Sequence, residues 1–258
     1  MSTVLYPSPV FGPIHSRRLG ISLGINLLPA NGKVCSFDCL YCECGFNSCR
    51  RPSAPMPSRQ EVAQALEKRL QQMAGDGELP DVLTFAGNGE PTLNPRFPQI
   101  VDDVIALRDS YCPNAKVSIL SNATQTPRQE VFDALLRVDN NIQKLDTVDP
   151  AYIDMVNRPT GHYNVRDIIE RLRAFHGHVI IQTMFMGGSV NGNNVDNTAE
   201  RFVAPWIDAL SYIAPQQVMI YTIDRKTPAD GLRKTSPQCL DSIRQRVLET
   251  GIPCSAAY

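Results

Sequence analysis

Short apolar segments alternate with amphipathic segments along most of the chain. Apolar runs of strand length recur six times, and most are β-branched or continuously apolar. These candidate strands cover residues 20–29, 81–87, 116–122, 142–148, 178–186 and 217–224. Continuous apolar character is typical of parallel strands that are buried on both faces. The pattern therefore predicts a parallel sheet.

A segment with helical spacing of apolar residues follows each candidate strand. The candidate helices cover residues 58–73, 96–111, 128–138, 164–175, 199–213 and 237–251. Ser58 with Glu61 three residues later predicts a capping box, and Gly251 predicts the end of the last helix. Six strand–helix units in order predict an α/β fold. Because a closed barrel needs eight units, we expect a partial (β/α)6 TIM-like barrel with parallel strands inside outer helices.

Composition limits the class of protein without changing this picture. The chain has 258 residues, 43% of them hydrophobic, and no Pro/Gly/Ser-rich linker, so we expect a single domain over residues 1–258. A net charge of −1 gives no overall field that would attract nucleic acid. No apolar run is long enough to cross a bilayer, and the first residues lack the order of a signal peptide. We therefore expect a cytoplasmic protein with no membrane partner and reduced thiols.

Polar and glycine-rich residues follow the candidate strands. Cysteines come after the first strand, GNGEP after the second, SNAT after the third and DTVD after the fourth. In parallel α/β folds the ligand site lies at the carboxyl ends of the strands. The sequence therefore predicts one site built from these segments.

Three cysteines with the spacing C-x3-C-x2-C, Cys35, Cys39 and Cys42, begin a cysteine-rich loop over about residues 33–59. Iron–sulfur clusters are normally held by four thiolates, so three would leave one iron of a 4Fe–4S cluster without a protein ligand. Zinc is the alternative, but it prefers a closed set of four Cys and His ligands. Cys42 and Cys44 are too close for a paired zinc motif, and no suitably spaced His pair exists. The spacing favours an iron–sulfur cluster.

Two motifs resemble those of a known superfamily. CSFDCLYC resembles the radical S-adenosylmethionine (radical SAM) signature C-x3-C-x-aromatic-C, with Tyr41 at the aromatic position, and GNGEP is similar to its GGEP motif. The resemblance extends over nearly the whole chain, because six strand–helix units form the partial barrel of that superfamily. The segments GPIHSRRLGISLGINLLP, CSFDCLYCECG and KLDTVDP…NRPTG together resemble a branch related to wyosine-type tRNA synthetases.

The resemblance implies a cofactor and a reaction. Cys35, Cys39 and Cys42 would each bind one iron of a 4Fe–4S cluster, and the fourth iron would bind S-adenosylmethionine. Reductive cleavage of S-adenosylmethionine would give methionine and a 5′-deoxyadenosyl radical, which would abstract hydrogen from an unidentified substrate. A flavodoxin- or ferredoxin-type reductant would supply the electron. The protein would orient these groups and exclude side reactions.

The resemblance also implies cofactor-binding residues. Gly87, Gly89 and Glu90 fall on the segment that receives the methionine ammonium, and Ser121 and Asn122 on the one that contacts the ribose. For both segments, an ordinary turn is the structural alternative. Further implied positions are Tyr41 beside the adenine, Asp146 at the end of the fourth strand and Gly187–Gly188 as a close backbone approach.

The remaining cysteines and basic residues have less specific interpretations. Cys44 and Cys49 are two candidates for a second cluster, but an additional cluster needs about four ligands, and Cys112, Cys239 and Cys254 are scattered. We therefore expect no second cluster. Several basic residues would suit an anionic substrate or RNA, although solvated surface arginine is the simpler interpretation of the second pair. They are Arg17 and Arg18, Arg50 and Arg51, and Arg225 and Lys226.

Two other classes of protein remain open at this point. The first is a non-catalytic iron–sulfur protein that transfers electrons, and the second is a zinc-containing binding module. The substrate of an enzyme is equally open between a small molecule, a peptide and RNA. Only the branch resemblance indicates a tRNA base.

Overall fold

The computed structural model describes residues 4–16 and 20–258. Arg17 and Arg18, two of the basic residues considered above, lie outside the described residues. The central element is an eight-stranded sheet. In spatial order its strands are β1 (Val10–Ser16), β2 (Gly20–Ile25), β3 (Val82–Phe85), β4 (Lys116–Ser121), β5 (Asn140–Lys144), β6 (Ile180–Met184), β9 (Gln217–Tyr221) and β11 (Cys254–Ala257). Only β1 runs antiparallel to its neighbour; all other pairs of this described sheet are parallel.

The remaining three strands form a small antiparallel sheet. Its strands, in the order β10, β7 and β8, are Leu232–Lys234, Met186–Val190 and Asn193–Asn194. β7 begins two residues after β6 ends, so the chain passes directly from the large sheet into the small one. The sequence analysis placed only a glycine-rich loop here, because GGSVNGNN has few of the apolar residues that indicate a strand.

Seven α-helices are defined in the described residues. They are α1 (Arg59–Asp76), α2 (Phe97–Tyr111), α3 (Gln129–Leu135), α4 (Pro150–Tyr152), α5 (Val165–Arg173), α6 (Glu200–Ile213) and α7 (Pro237–Glu249). The capping box of Ser58 and Glu61 is present, and α7 ends just before Gly251, which has φ +84°. None of these helices is both long enough and apolar enough to span a membrane.

Alternate residues of each central strand face opposite sides of the sheet. Leu23 and Leu83 join the buried core between sheet and helices, whereas their neighbours Ser22, Gly24 and Thr84 line an interior cavity. The same alternation continues through the later strands. The sheet therefore has a helix-covered outer face and an inner face that surrounds the cavity.

The predicted fold class, an α/β partial barrel of parallel strands with outer helices, is confirmed. All six predicted strands form, although most end a few residues earlier than predicted. The sequence analysis missed β1, which contains Gly12 and Pro13, and β11, whose four residues include only small side chains. Both lie at edges of the sheet, where a strand has a single partner and a weaker pattern.

Candidate functional site

A cavity of about 450 Å³ lies at the carboxyl ends of the parallel strands and is bounded by the cysteine loop. Its lining contains the predicted site residues except Gly187, Gly188 and Asp146, the last of which is buried outside the cavity. The residues brought together are Cys35, Cys39, Tyr41, Cys42, Gly87, Gly89, Glu90, Ser121 and Asn122. Three separate segments of the sequence thus converge on one volume of the size that ligand pockets have.

The three thiols of the C-x3-C-x2-C motif share one wall of this cavity. The chain turns between them, because the Cys42 N–H donates to the Cys39 carbonyl at 3.2 Å and the Gly45 N–H donates to the Cys42 carbonyl at 2.9 Å. Sulfur atoms accept hydrogen bonds from the surroundings. The Phe37 N–H lies 3.4 Å from Cys35 Sγ, and side-chain amides of Asn122 and Asn157 each lie 3.7 Å from a cysteine sulfur.

The electrostatic environment differs between the three thiols. Burial raises the pKa of Cys35, and it raises the pKa of Cys39 to about 11. Interaction with the neighbouring Cys44 thiol lowers the pKa of Cys42. Lys33 lies buried behind the loop, with Nζ 2.7 Å from the Gly45 carbonyl. Burial alone would lower the pKa of Lys33, but the negative charge of Cys42 and its neighbours raises it overall, so this ammonium balances thiolate charge.

The GNGEP segment is joined to the cysteine loop through the backbone. The Val34 N–H donates to the Asn88 carbonyl, and the Glu90 N–H donates to the Val34 carbonyl, both at 3.0 Å. Gly89 has φ +133°, and a Cβ atom there would lie 1.9 Å from the Val34 oxygen. Position 89 therefore requires glycine, because no side chain fits between the two adjacent backbone segments.

Asn88, which interrupts the expected glycine pair, has its side chain directed away from the cavity. It is fully buried, accepts a hydrogen bond from the Tyr6 N–H at 2.8 Å and donates to the carbonyls of Tyr6 and Pro29 at 2.9 Å. It therefore anchors the N-terminal segment. The backbone of Gly87 and Gly89 still lines the cavity.

Glu90 connects the GNGEP segment to the end of β4. One carboxylate oxygen accepts from the Asn122 N–H at 2.7 Å, and the other accepts from the Thr92 hydroxyl at 2.6 Å and the Thr92 N–H at 3.1 Å. Burial raises the pKa of this carboxyl group. Glu90 therefore aligns the neighbouring strand end as well as lining the cavity.

Ser121 and Asn122 both form a turn and line the cavity. Ser121 Oγ accepts from the Ala123 N–H at 3.1 Å, and Asn122 Oδ1 accepts from the Thr124 N–H at 3.1 Å, as in a turn. Both residues also line the cavity. Asn122 Nδ2 in addition donates to Ser36 Oγ at 2.9 Å and so connects β4 to the cysteine loop.

Asp146 lies two residues beyond the end of β5, whereas the sequence analysis placed it at the strand end. Its carboxylate accepts from the Met184 N–H at 2.9 Å, from Asn157 Nδ2 at 2.8 Å and from the Tyr41 hydroxyl. Tyr41 is buried in the same network. Burial and the adjacent Asp146 charge raise the pKa of its hydroxyl well above the ordinary value. Asp146 therefore connects the cysteine loop to the end of β5 from outside the cavity.

Lys144 is a cavity residue that the sequence analysis missed. Its Nζ lies 3.1 Å from the Tyr221 hydroxyl and 3.4 Å from Asp146 Oδ1, between the rings of Tyr41 and Tyr221. Burial opposes the charge, but the Asp146 carboxylate outweighs that cost and raises the pKa of Lys144. Lys144 and Asp146 are two residues apart at the end of a strand, a spacing that places side chains on one face and could have indicated the pair.

The other cysteines are dispersed, apart from Cys44. Cys44 lines the cavity, and its thiol donates to the Gly87 carbonyl at 3.3 Å, whereas Cys49 is exposed and is not part of the lining. Cys112, Cys239 and Cys254 belong to the outer helices and the sheet edge. In the described part of the chain, no group of three or more His, Cys, Asp or Glu side chains is arranged to hold a single metal ion.

The remaining predicted positions take structural roles or lie outside the cavity. Gly188 has φ +115°, and a Cβ atom there would lie 2.1 Å from the Gly231 carbonyl oxygen, so its close approach is to β10. Arg225 lines the cavity and pairs with Glu43 at 2.7 Å, whereas Lys226 is exposed outside it. Arg50 and Arg51 also lie outside the lining.

Comparison with known proteins identifies relatives of this chain. It is 34% identical over 182 residues to a UPF0026 protein of Methanocaldococcus jannaschii, an alignment that covers 69% of this chain and 54% of the relative. It is 30% identical over 224 residues to a UPF0026 protein of Helicobacter pylori, covering 84% of this chain and 66% of the relative. The chain thus spans between about half and two thirds of the length of these relatives.

Solved structures share the fold at low sequence identity. A radical SAM methyltransferase from Sphaerobacter thermophilus superposes with a TM-score of 0.68 at 14% identity, covering 92% of this chain and 66% of that one. An archaeal TYW1 superposes with a TM-score of 0.54 at 12% identity, covering 89% and 72%. Residues 32–202 match the family model of the Radical SAM superfamily. This segment contains the cysteine loop, GNGEP and the ends of β3 to β6. The chain belongs to the radical SAM superfamily, whose members use an iron–sulfur cluster and S-adenosylmethionine.

Proposed function

We propose that this chain is a radical SAM enzyme that uses a 4Fe–4S cluster to cleave S-adenosylmethionine reductively. The observation that carries the proposal is the convergence of the three motif thiols, the GNGEP backbone and the end of β4 on one cavity. When bound, the cluster and S-adenosylmethionine supply a 5′-deoxyadenosyl radical that abstracts hydrogen from a substrate.

The residues present fit a cluster better than a single ion. The thiols of Cys35, Cys39 and Cys42 are free and line one wall, and amide N–H groups are directed at two of the sulfurs. Each thiolate of a cluster binds a different iron, so the sulfurs need not converge on one point. The buried ammonium of Lys33 offsets the negative charge of the thiolates. This arrangement supports the iron–sulfur assignment over a zinc site.

The cavity beside the thiols would hold S-adenosylmethionine. The cavity-lining backbone of Gly87 and Gly89 would accept hydrogen bonds from the methionine ammonium, and Ser121 with Asn122 would contact the ribose. Tyr41 would contact the adenine. Asp146 would act from below, by holding Tyr41 and Lys144 in place. Lys144 would then present the positive charge of its ammonium to an anionic group in the cavity.

The proposal also includes a substrate class and an electron donor. The resemblance of the sequence motifs to wyosine-type tRNA synthetases supports a tRNA base as one candidate substrate, whereas the small net charge supports a small molecule or peptide equally. A flavodoxin- or ferredoxin-type protein would reduce the cluster. The chain as a whole, residues 1–258, would form one radical SAM core domain.

Cluster reconstitution without oxygen, followed by dithionite and S-adenosylmethionine, tests the proposal. We expect 5′-deoxyadenosine by mass spectrometry from the wild-type protein and none from Cys39→Ala, because the cluster loses a ligand. Cys49→Ala is the matched control, since Cys49 lies in the same loop but is exposed outside the cavity. Equal cleavage by wild type and Cys39→Ala would overturn the ligand assignment.

The competing electron-transfer function makes a different prediction in the same assay. A protein that only transfers electrons would bind the cluster and produce no 5′-deoxyadenosine. The cavity argues against it, because electron transfer requires no space for a second ligand next to the thiols. An intact, reducible cluster without any cleavage would favour that function.

A further inference from the structure

The segment NRPTG packs along the cysteine loop, although the proposed function gives it no role. It begins at the last residue of a π-helical turn, Ile153–Asn157, that follows α4, and π-helical turns occur frequently at functional sites. The Leu40 N–H donates to the Val156 carbonyl at 2.9 Å, and the Asp38 N–H donates to the Asn157 carbonyl at 3.0 Å. The backbone of the π-helical turn therefore fixes the loop on both sides of Cys39.

The Asn157 side chain extends from this segment to the Cys39 thiol. Its Nδ2 lies 3.7 Å from Cys39 Sγ, 2.9 Å from the Tyr41 hydroxyl and 2.8 Å from Asp146 Oδ2. The residue is buried, so water does not compete for these contacts. Asp146 is itself held by the Met184 N–H, which fixes the acceptor that orients the Asn157 amide.

A second amide occupies the equivalent position at another thiol. Asn122 Nδ2 lies 3.7 Å from Cys35 Sγ and is oriented by Ser36 Oγ at 2.9 Å. Two buried side-chain amides from different parts of the chain thus donate to two different motif sulfurs. Hydrogen bonds to cluster sulfurs are among the factors that set the reduction potential of a cluster, because they stabilise the more negative, reduced state.

We propose that Asn157 is a positioning residue that donates an N–H···S hydrogen bond to Cys39 and thereby raises the reduction potential of the cluster. The inference rests on the proposed function, since it requires a cluster on the motif cysteines. Asp146 and Tyr41 act through Asn157 by keeping its amide directed at the sulfur. Asn122 makes the parallel contact to Cys35, but it also lines the cavity, so Asn157 gives the cleaner test.

The test is a redox titration of the reconstituted protein followed by electron paramagnetic resonance. Asn157→Leu removes both N–H donors at similar side-chain size. We expect an unchanged iron and sulfide content. The reduction potential should become more negative by about 59 mV, which for one electron is a tenfold change in the equilibrium constant of reduction. Asn141→Leu is the matched control, because Asn141 is a buried asparagine on β5 whose amide donates to the His178 carbonyl. Its potential should equal that of the wild type.

An intact cluster with unchanged potential in Asn157→Leu would overturn the proposal. A second measurement needs no variant and so covers the case in which the substitution prevents folding. Wild-type protein labelled with ¹⁵N only in asparagine side chains should show two ¹⁵N couplings to the reduced cluster in pulsed resonance spectra, because Asn122 and Asn157 each donate to a motif sulfur. Absence of the second coupling would also overturn the proposal.

The proposed function and this inference fail in different ways. A wild-type protein that binds a cluster but produces no 5′-deoxyadenosine contradicts the function, while the potential of Asn157→Leu still decides the role of Asn157. A wild-type protein that binds no cluster contradicts both. A shifted potential together with normal cleavage products supports both.

Discussion

Two walls of the cavity are built in contrasting ways. We define the cluster-loop wall as residues 33–49 together with the strand ends at 87–90 and 121–124, and the terminal wall as residues 4–16 with residues 221–227. Buried hydrogen bonds connect the parts of the cluster-loop wall, from Val34 to Asn88 and from Glu90 to Asn122. Asn88 anchors the terminal wall at Tyr6, but Arg225 bonds to Glu43 of the first wall and to the Tyr6 hydroxyl through contacts that are solvent-exposed.

The difference separates two tasks. Buried polar contacts with every partner in place rigidify a site, whereas exposed ion pairs contribute little to stability. Under the proposed function, the cluster-loop wall would hold the cofactor in one geometry. The terminal wall, which adds Phe11, Ile14 and Thr222 to the lining, is suited to admit a substrate. Substitutions should therefore have large effects in the first wall and small ones in the second.

Gly89→Ala should have the largest effect, because it breaks the contact between GNGEP and the cysteine loop. The new Cβ would lie 1.9 Å from the Val34 oxygen at φ +133°. We expect S-adenosylmethionine cleavage to fall about 100-fold, as displacement of a site by about 1 Å does. The measurement is the initial rate of 5′-deoxyadenosine formation.

Gly192→Ala is the control for backbone strain alone. Gly192 also has a positive φ, +79°, but nothing lies within 4 Å of its position for a Cβ atom. Its cleavage rate should remain close to that of the wild type. Equal losses in the two variants would show that strain, rather than the Val34 contact, sets the effect.

Glu90→Gln should have an intermediate effect. One carboxylate oxygen accepts from the Asn122 N–H and the other from the Thr92 hydroxyl and N–H, so the amide NH₂ must face a donor at one of these places. The unmet buried hydrogen bond should lower the free energy of unfolding by about 1–3 kcal/mol. Chemical denaturation of the protein checks this value.

Glu61→Gln serves as the comparison for that variant. Glu61 is exposed and completes the capping box of α1 by accepting from the Ser58 N–H at 2.7 Å, a contact that glutamine also makes. The stability should barely change. If Glu90→Gln were equally neutral, the rigid description of the cluster-loop wall would be wrong.

Arg225→Met should have the smallest effect on stability. Arg225 and Glu43 are 50% and 36% exposed, and exposed ion pairs contribute about 0–1 kcal/mol. Thermal and chemical unfolding should therefore place this variant close to Arg246→Met, which breaks the exposed pair with Glu200 on the outer helices. A loss of stability far larger than that of Arg246→Met would show that the terminal wall is as tightly fixed as the cluster-loop wall.

The fold was predictable from sequence because buried parallel strands have a strong local pattern. β3, for example, is buried at all four positions, and all but Thr84 are apolar. β1, β7 and β8 were not predictable, since Gly, Pro or Asn interrupts their apolar pattern. β10 was not predictable because it has three residues and its pairing with β7 joins distant segments. Gly188 shows the consequence, because its close neighbour is Gly231 rather than a ligand.

The site was predictable where a motif carries its own chemistry. The cysteine spacing and GNGEP indicated residues that the structure brings together. Lys33, Lys144 and Asn157 were missed because their importance arises from tertiary contacts. Asn157 contacts Cys39, 118 positions away in the chain, and such a contact leaves no local pattern.

The central claim is that three thiolates leave one iron free for S-adenosylmethionine. The most direct test is the electron paramagnetic resonance spectrum of the dithionite-reduced wild-type cluster, recorded before and after addition of S-adenosylmethionine. We predict that the spectrum changes on addition, because the ligand binds the open iron. A spectrum that stays the same, with the cluster intact, would contradict the claim and indicate a fully ligated electron-transfer centre.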